Sequence, residues 1–247
     1  MFTEILNRDG RVLHGCVASG LREAVERAVE EGADLAGARL DGANLDGANL
    51  EQARLAGASL VRASLRGANL EEVDLSGADL TGVNVDGANL EEADLSVATL
   101  AGASGRGANL EDSCLEGADL SRSVFDGANF EKSNLRGILL VDGSAARSNL
   151  EKCDLRDADL TGATLPAANL EKCDLRGARL VDAVLLGANL ERSDLRDADL
   201  TGADLREANL EKCNVDGACL DGARLDDANL DRLSGRPKPR RGSEPYR

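Results

Sequence analysis

Residues able to do chemistry are few in kind and regular in placement. His14 is the only imidazole in the 247-residue chain. A Ser/His/Asp or Cys/His arrangement needs an imidazole beside its nucleophile, so no such site can form far from residue 14. The six cysteines, Cys16, Cys114, Cys153, Cys173, Cys213 and Cys219, contain no CxxC pair. Zinc needs ligands converging from several directions, whereas Cys153, Cys173 and Cys213 recur at multiples of twenty, in one straight column. Adjacent carboxylates are abundant at Glu71-Glu72, Glu91-Glu92 and Glu111-Asp112. Acid–base catalysis by such pairs requires a cleft that excludes water and perturbs a pKa. Phosphate-cradling GxxxxGK[ST] loops are absent. The expectation is a protein with no catalytic residues, no cofactor and no metal, whose chemistry is that of charged surfaces.

Charge and composition narrow the partners of those surfaces. The balance of 29 basic and 45 acidic residues gives a net charge of −16. Duplex binders depend on Lys and Arg to neutralise phosphates, so direct nucleic-acid binding is not expected. Hydrophobic residues make up 42% of the chain but aromatics only 2%, which implies a core of small aliphatic groups. The first residues lack the basic-then-apolar order of a secretory signal, and no run of eighteen apolar residues exists. A cytoplasmic protein with reduced thiols and no membrane contact is expected.

The elements that position the charges follow from an internal repeat. Leucine stands at nearly every multiple of five from Leu35 to Leu230, which is (230 − 35)/5 + 1 = 40 places without an insertion or deletion. Thirty-four are Leu; the others are Val85, Gly105, Phe125, Phe130, Ala145 and Val215. Two residues earlier stands Ala in 28 of the 40, and the one bulky exception is Ile138. A period of five fits neither a helix nor a continuous strand. Within each Ala-(Asp/Asn)-Leu-x-x unit, however, Ala and Leu can share one side of a short extended segment. The chain then turns a corner, which glycines such as Gly37, Gly42 and Gly67 ease.

A longer period counts the sides. Asparagine recurs every twenty residues from Asn49 to Asn229. Four units per turn stack these amides, which hydrogen-bond from coil to coil without the repulsion that stacked carboxylates suffer. Forty units make 40/4 = 10 coils, about 48 Å long at roughly 4.8 Å per stacked strand. In these units the chain resembles the pentapeptide-repeat family across residues 33–232. The resemblance implies an all-β fold, a right-handed four-sided parallel β-helix with Leu and Ala inward. The same stacking places Val85, Gly105, Phe125 and Ala145 in one column, where the Phe125 ring spreads into space left by its small neighbours.

The two ends differ. Residues 1–32 read as a capping hairpin, turning at Asp9-Gly10, followed by a helix N-capped by Ser19 and ended by Gly32. Residues 233–247 read as a disordered basic tail rich in Pro and Arg. The last coil therefore lacks a lid. Its leucines, Leu220, Leu225, Leu230 and Leu233, suggest pairing end to end with a second copy, and the family resemblance also implies a homodimer through the C-terminal coils.

Charge is not uniform along the repeats. One column is acidic throughout, from Glu51 to Asp231. The next runs Gln52, Glu72, Glu92 and Asp112, then Lys132, Lys152, Lys172, Arg192, Lys212 and Arg232. Residues 33–120 carry 5 − 16 = −11 and residues 121–232 carry 15 − 22 = −7. Like charges 4.8 Å apart in water repel by roughly 0.9 kcal/mol, a cost the later half relieves. A solvated face that keeps the rod soluble is one reading. A docking edge for a protein with a basic surface, made by Glu51, Glu71, Glu72, Glu91, Glu92, Glu111 and Asp112, is the other. The resemblance adds an alternative: some family members mimic DNA and inhibit or protect a type II topoisomerase, DNA gyrase. Two acidic columns give about one charge per 2.4 Å, against roughly 1.7 Å for duplex DNA. This chain departs from those relatives in its Leu-rich core and in having no projecting loop.

One segment is irregular. Between Arg136 and Arg147, Ile138 falls in an Ala slot and Leu139 in an outward polar place, with Val141 beside it. Drift in a tolerant rod or a small apolar contact site would both produce it.

Overall fold

The computed structural model describes residues 1–238. The chain opens with a two-stranded antiparallel hairpin, β1 (Phe2–Leu6) and β2 (Val12–Val17), followed by one helix, α1 (Leu21–Glu30). The turn between the strands is held by the Asn7 side chain, which accepts the amide hydrogens of Asp9 and Arg11. Gly10 takes φ +80°, a conformation open to glycine at no steric cost.

Helix α1 starts one residue later than Ser19 would place it. Gly20 is the N-cap and no side chain caps the helix amides. The bond runs the other way: the Glu23 carboxylate accepts the Ser19 amide hydrogen at 2.7 Å. Its bonds to Ser19, with help from Arg27, pull the Glu23 pKa down to about 2. Gly32, at φ +68°, closes the far end by donating to the Val29 carbonyl. The helix buries Ala24, Val25 and Ala28 over the first coil, and Leu35 beneath is fully buried.

From Asp34 onward each outward residue pairs in parallel with the residue twenty positions later, as in Asn49 with Asn69 and Asp74 with Asp94. The ladder fixes four sides to a coil. Each unit donates to the coil above, for example Leu50 N–H to the Asn69 carbonyl at 2.7 Å, and closes its own corner with a bond such as Ala53 N–H to Leu50. The second corner residue has positive φ throughout, near +60°, whether glycine or not.

Volume is conserved locally in the core. A methyl group on Gly105 would lie within 3.0 Å of three carbons of the Phe125 ring. Phe125 also meets Phe130, ring centroids 5.6 Å apart. Ile138 is buried in its small-residue slot, Leu139 is exposed and Val141 half-buried.

Between Ser113 and Cys213 the inward column carries donors. Ser113, Ser133 and Ser193 donate to the carbonyls of Leu90, Leu110 and Leu170, and Cys153, Cys173 and Cys213 to those of Phe130, Leu150 and Leu190. The thiols are therefore more than small apolar fillers. Burial pushes the Cys153 pKa up to about 12 and Cys213 to about 11.

Of the tail expected over 233–247, Ser234 still pairs with Asn214 and Lys238 N–H still donates to Ala218, so regular backbone bonding runs to Lys238. Residues 239–247 lie outside the described residues.

Candidate functional site

The seven expected edge carboxylates come together along one corner of the rod. Glu51, Glu71, Glu91 and Glu111 stack at the first corner position, and Glu72, Glu92 and Asp112 at the second, with Gln52 below them. The first four are steadied by the asparagine ladder. Asn69 Nδ2 donates to Asn49 Oδ1 at 3.0 Å and to Glu51 Oε2 at 3.2 Å, and the pattern repeats at Asn89, Asn109 and Asn129. Gln52 donates to Glu72 at 3.0 Å. Among the described residues, Glu51, Glu71, Glu72, Glu91 and Glu92 form no ion pair, and no ion pair joins side chains within residues 33–110.

Above Asp112 the same corner is cross-linked by charge. Lys132 Nζ lies 2.7 Å from Glu111 and 3.4 Å from Asp112, so the top of the acidic run is already matched. Lys152 bridges Glu131 and Glu151, each at 3.0 Å, Lys172 bridges Glu151 and Glu171, and Lys212 bridges Glu191 and Glu211. These bonds hold the Glu111, Glu151 and Glu211 carboxyls below the usual range. Arg156, Arg176, Arg196 and Arg206 make a second series, each on an aspartate two residues earlier in its own coil. Sequence reading singled out the Lys132–Arg232 column but not these arginine pairs, whose signal is Asp-x-Arg at residues 154–156, 174–176, 194–196 and 204–206. An open groove of about 350 Å³ runs beside Arg156, Arg176 and Arg196.

The corner has a further property. Glycine occupies six or seven of ten places at each of the other three corners, but none of the ten from Gln52 to Arg232. Gln52, Glu72, Glu92 and Asp112 sit at φ between +54° and +56°. A side chain in that region is disfavoured by roughly 1 kcal/mol or more relative to glycine.

The C-terminal leucines also converge. Leu220, Leu225 and Leu233 are half-buried and Leu230 is 42% exposed, while their counterparts inside the rod are fully covered. Leu200, Leu205 and Leu210 donate their amides to the coil above; those of Leu220, Leu225 and Leu230 have no partner among the described residues.

No group of three His, Cys, Asp or Glu residues among those described could hold a metal ion. His14 Nε2 is buried and forms no hydrogen bond; its nearest carboxylate, Glu31, is 3.8 Å away. No helix of the described residues is long and apolar enough to cross a membrane.

The family model for pentapeptide repeats matches in 8 copies, over residues 33–71, 58–96, 106–140, 145–177, 173–212 and 193–232. The chain belongs to the pentapeptide-repeat family. Solved members of this family form right-handed quadrilateral β-helices. Among solved pentapeptide-repeat structures, HetL, involved in heterocyst differentiation regulation in the cyanobacterium Nostoc sp. strain PCC 7120, shares 33% identity. That match covers 87% of this chain and 97% of HetL, with a TM-score of 0.46. QnrB1, a plasmid-mediated fluoroquinolone resistance protein, in a trypsin-treated form, shares 24% identity over 78% of this chain and 89% of its own, TM-score 0.42. A pentapeptide-repeat protein of the Arabidopsis thaliana thylakoid lumen shares 26% over 44% and 61%, TM-score 0.33. No curated protein matches the chain significantly.

Proposed function

We propose that this pentapeptide-repeat protein is a non-catalytic, cytoplasmic interaction protein whose edge at Glu51, Glu71, Glu72, Glu91, Glu92, Glu111 and Asp112 receives a basic surface of a partner protein. One observation carries the reading. Among the described residues, five of these carboxylates stand without a cation along successive coils, on a corner whose later coils match every glutamate with Lys or Arg. Removing charge repulsion needs only a substitution already present higher in the same column. The whole corner, matched and unmatched coils alike, keeps side chains in a backbone region that favours glycine. A basic partner would supply the missing counter-charges, and association would weaken steeply with salt. The test compares wild type with the Glu71→Gln, Glu72→Gln, Glu91→Gln, Glu92→Gln variant in affinity capture at low and high salt. Proteins retained equally by both rods would remove the edge as docking surface.

A second reading rests on charge spacing: in a stretch of net −11 over residues 33–120, the two columns of edge carboxylates give about one charge per 2.4 Å, within a factor of two of duplex charge density. It casts the rod as a DNA mimic that inhibits or protects a type II topoisomerase. A gyrase supercoiling assay decides it, since neither inhibition nor quinolone protection at micromolar protein would eliminate this reading. The half-buried Leu220, Leu225 and Leu233 and the exposed Leu230 support a homodimer through the C-terminal coils. Leu230→Glu would then return the chain to a monomer at that end.

A further inference from the structure

The other end of the rod carries an open strand edge. Met1 and Ala18 exchange both backbone hydrogen bonds across the hairpin. Antiparallel pairs alternate between bonded and non-bonded, so Thr3–Cys16 and Ile5–His14 are bonded pairs, while Phe2–Val17 and Glu4–Gly15 turn their backbone groups outward. On β1 the outward side is used at one end only: Leu6 accepts the Arg39 amide and Asn7 pairs with Ala38, which sews the hairpin to the first coil. The outward groups of Phe2 and Glu4 have no partner among the described residues, and Glu4 supplies the charge that β2 lacks. On β2 the amides and carbonyls of Gly15 and Val17 find no partner among the described residues. Helix α1 does not cover them. It packs on the opposite face, where Ile5 is buried and His14 approaches Glu31.

Strand edges are commonly guarded by charge or proline. Here the free strand reads Val-Leu-His-Gly-Cys-Val, without a charged residue in a chain that is 30% charged. Among the described residues, four of the seven large exposed apolar side chains, Met1, Phe2, Val12 and Val17, lie in or beside this hairpin.

We infer that β2 pairs antiparallel with β2 of a second copy about a two-fold axis at Cys16, making a four-stranded sheet in the order β1-β2-β2-β1. In that register Gly15 of each copy lies opposite Val17 of the other, and both outward pairs form hydrogen bonds. Glycine leaves room there. The Phe2 ring, 3.0 Å from where a Gly15 side chain would begin, forms the floor on which Val17 of the second copy rests. Each row across the sheet then reads Phe2, Val17, Gly15, Glu4, so the two copies' Glu4 residues never face one another. An uncharged strand whose apolar and empty places complement each other under two-fold rotation fits itself better than it fits the basic partner of the acidic edge. The inference is independent of that edge and of the C-terminal end.

Sedimentation velocity of the full chain carrying Leu230→Glu separates the two ends, because the substitution disables only the C-terminal one. Across a concentration series this chain is expected to reach a dimer of 2 × 25.8 = 51.6 kDa. Adding Val17→Lys at this exposed site should leave only the 25.8 kDa monomer, with unchanged circular dichroism. Val17→Pro, which deletes one outward amide and no bond to β1, should do the same. Hydrogen exchange provides a readout free of substitutions: the Gly15 and Val17 amides should slow as concentration rises. A Leu230→Glu chain that stays monomeric with fast exchange at those amides overturns the inference. So does a dimer that survives both Val17 substitutions, or edge protection that appears only on adding a strand from another protein.

Discussion

The lower and upper parts of the rod share one backbone and differ in how they treat charge. Residues 33–110 hold their glutamates with amides, Asn69 on Glu51 and Asn89 on Glu71, and give them no cation among the described residues. Residues 111–212 hold theirs with Lys132, Lys152, Lys172 and Lys212. The inward column beside this corner changes over the same stretch, from Ala53, Val73 and Ala93 to the Ser and Cys donors that begin at Ser113. The upper part is built to be internally satisfied. The lower part carries its carboxylates without such matches among the described residues, and a repeat fold permits this because each coil answers mainly to its neighbours.

The junction between the two parts is where the largest effect is expected. Phe125 and Phe130 meet there as tilted rings, and Phe125 occupies the space above Gly105. Gly105→Leu should overpack the column and destabilise by about 1–3 kcal/mol in chemical denaturation. Combining it with Phe125→Leu should restore most of the loss. A neutral single variant, or a double variant no better than the single, would contradict the column.

The donor column of the upper part comes next. Ser113→Ala deletes the bond to the Leu90 carbonyl and should cost about 1 kcal/mol, whereas Ala93→Ser one coil lower has no such history and should not gain as much. The buried thiols give a companion measurement. Burial pushes Cys153 and Cys213 up to about 12 and 11, so they should resist alkylation until unfolding, while half-buried Cys16, Cys114 and Cys219 react first. Equal labelling of all six would contradict the burial argument.

These residues show what could be read from the sequence. The column of Val85, Gly105, Phe125 and Ala145 was legible because a period of twenty states which side chains touch, and size is written in the residue type. The charged corner was legible for the same reason. Which lysine bonds which glutamate was not: Lys132 reaches down to Glu111, while Lys212 lies nearest Glu211 in its own coil, and such choices depend on rotamers that spacing does not encode. The hydrogen bonds of Cys153 and Cys173 were hidden because a thiol reads first as a small apolar group. Ser19 was assigned the cap because serine favours that role, yet Gly20 took it once Glu23 bonded the Ser19 amide.

A gain in stability can test whether the lower corner is kept for function. Glu72→Gly with Glu92→Gly relieves two side chains held at φ +54° and +56° and removes two like charges. Glycine costs about 0.4–1 kcal/mol through the unfolded chain, so the net gain per site is expected at about 0.5 kcal/mol. The variant should melt higher and bind a basic partner less well. A lower melting temperature would mean that these side chains contribute to folding in a way the corner geometry does not show.

Acid should separate the two parts by a smaller margin. Glu111, Glu151 and Glu211 are held below the ordinary 4.5, chiefly by hydrogen bonds from Lys132, Lys152 and Lys212. Asp154 and Asp204 are held below 3.8 by Arg156 and Arg206. A carboxyl whose folded pKa is depressed contributes stability that is complete above its unfolded pKa and is lost as pH falls through the folded value. Lowering pH from 6 towards 3 should therefore loosen residues 111–212, while residues 33–110 hold no such ion pairs to lose among the described residues. These pairs are half-buried at most, with each cation reaching solvent, so the loss is small per site and shrinks further in high salt. Hydrogen exchange, corrected for the intrinsic effect of pH, should show faster opening in the upper coils than in the lower ones at low ionic strength. Equal acceleration in both parts would mean that the ladder of ion pairs decorates the rod without holding it.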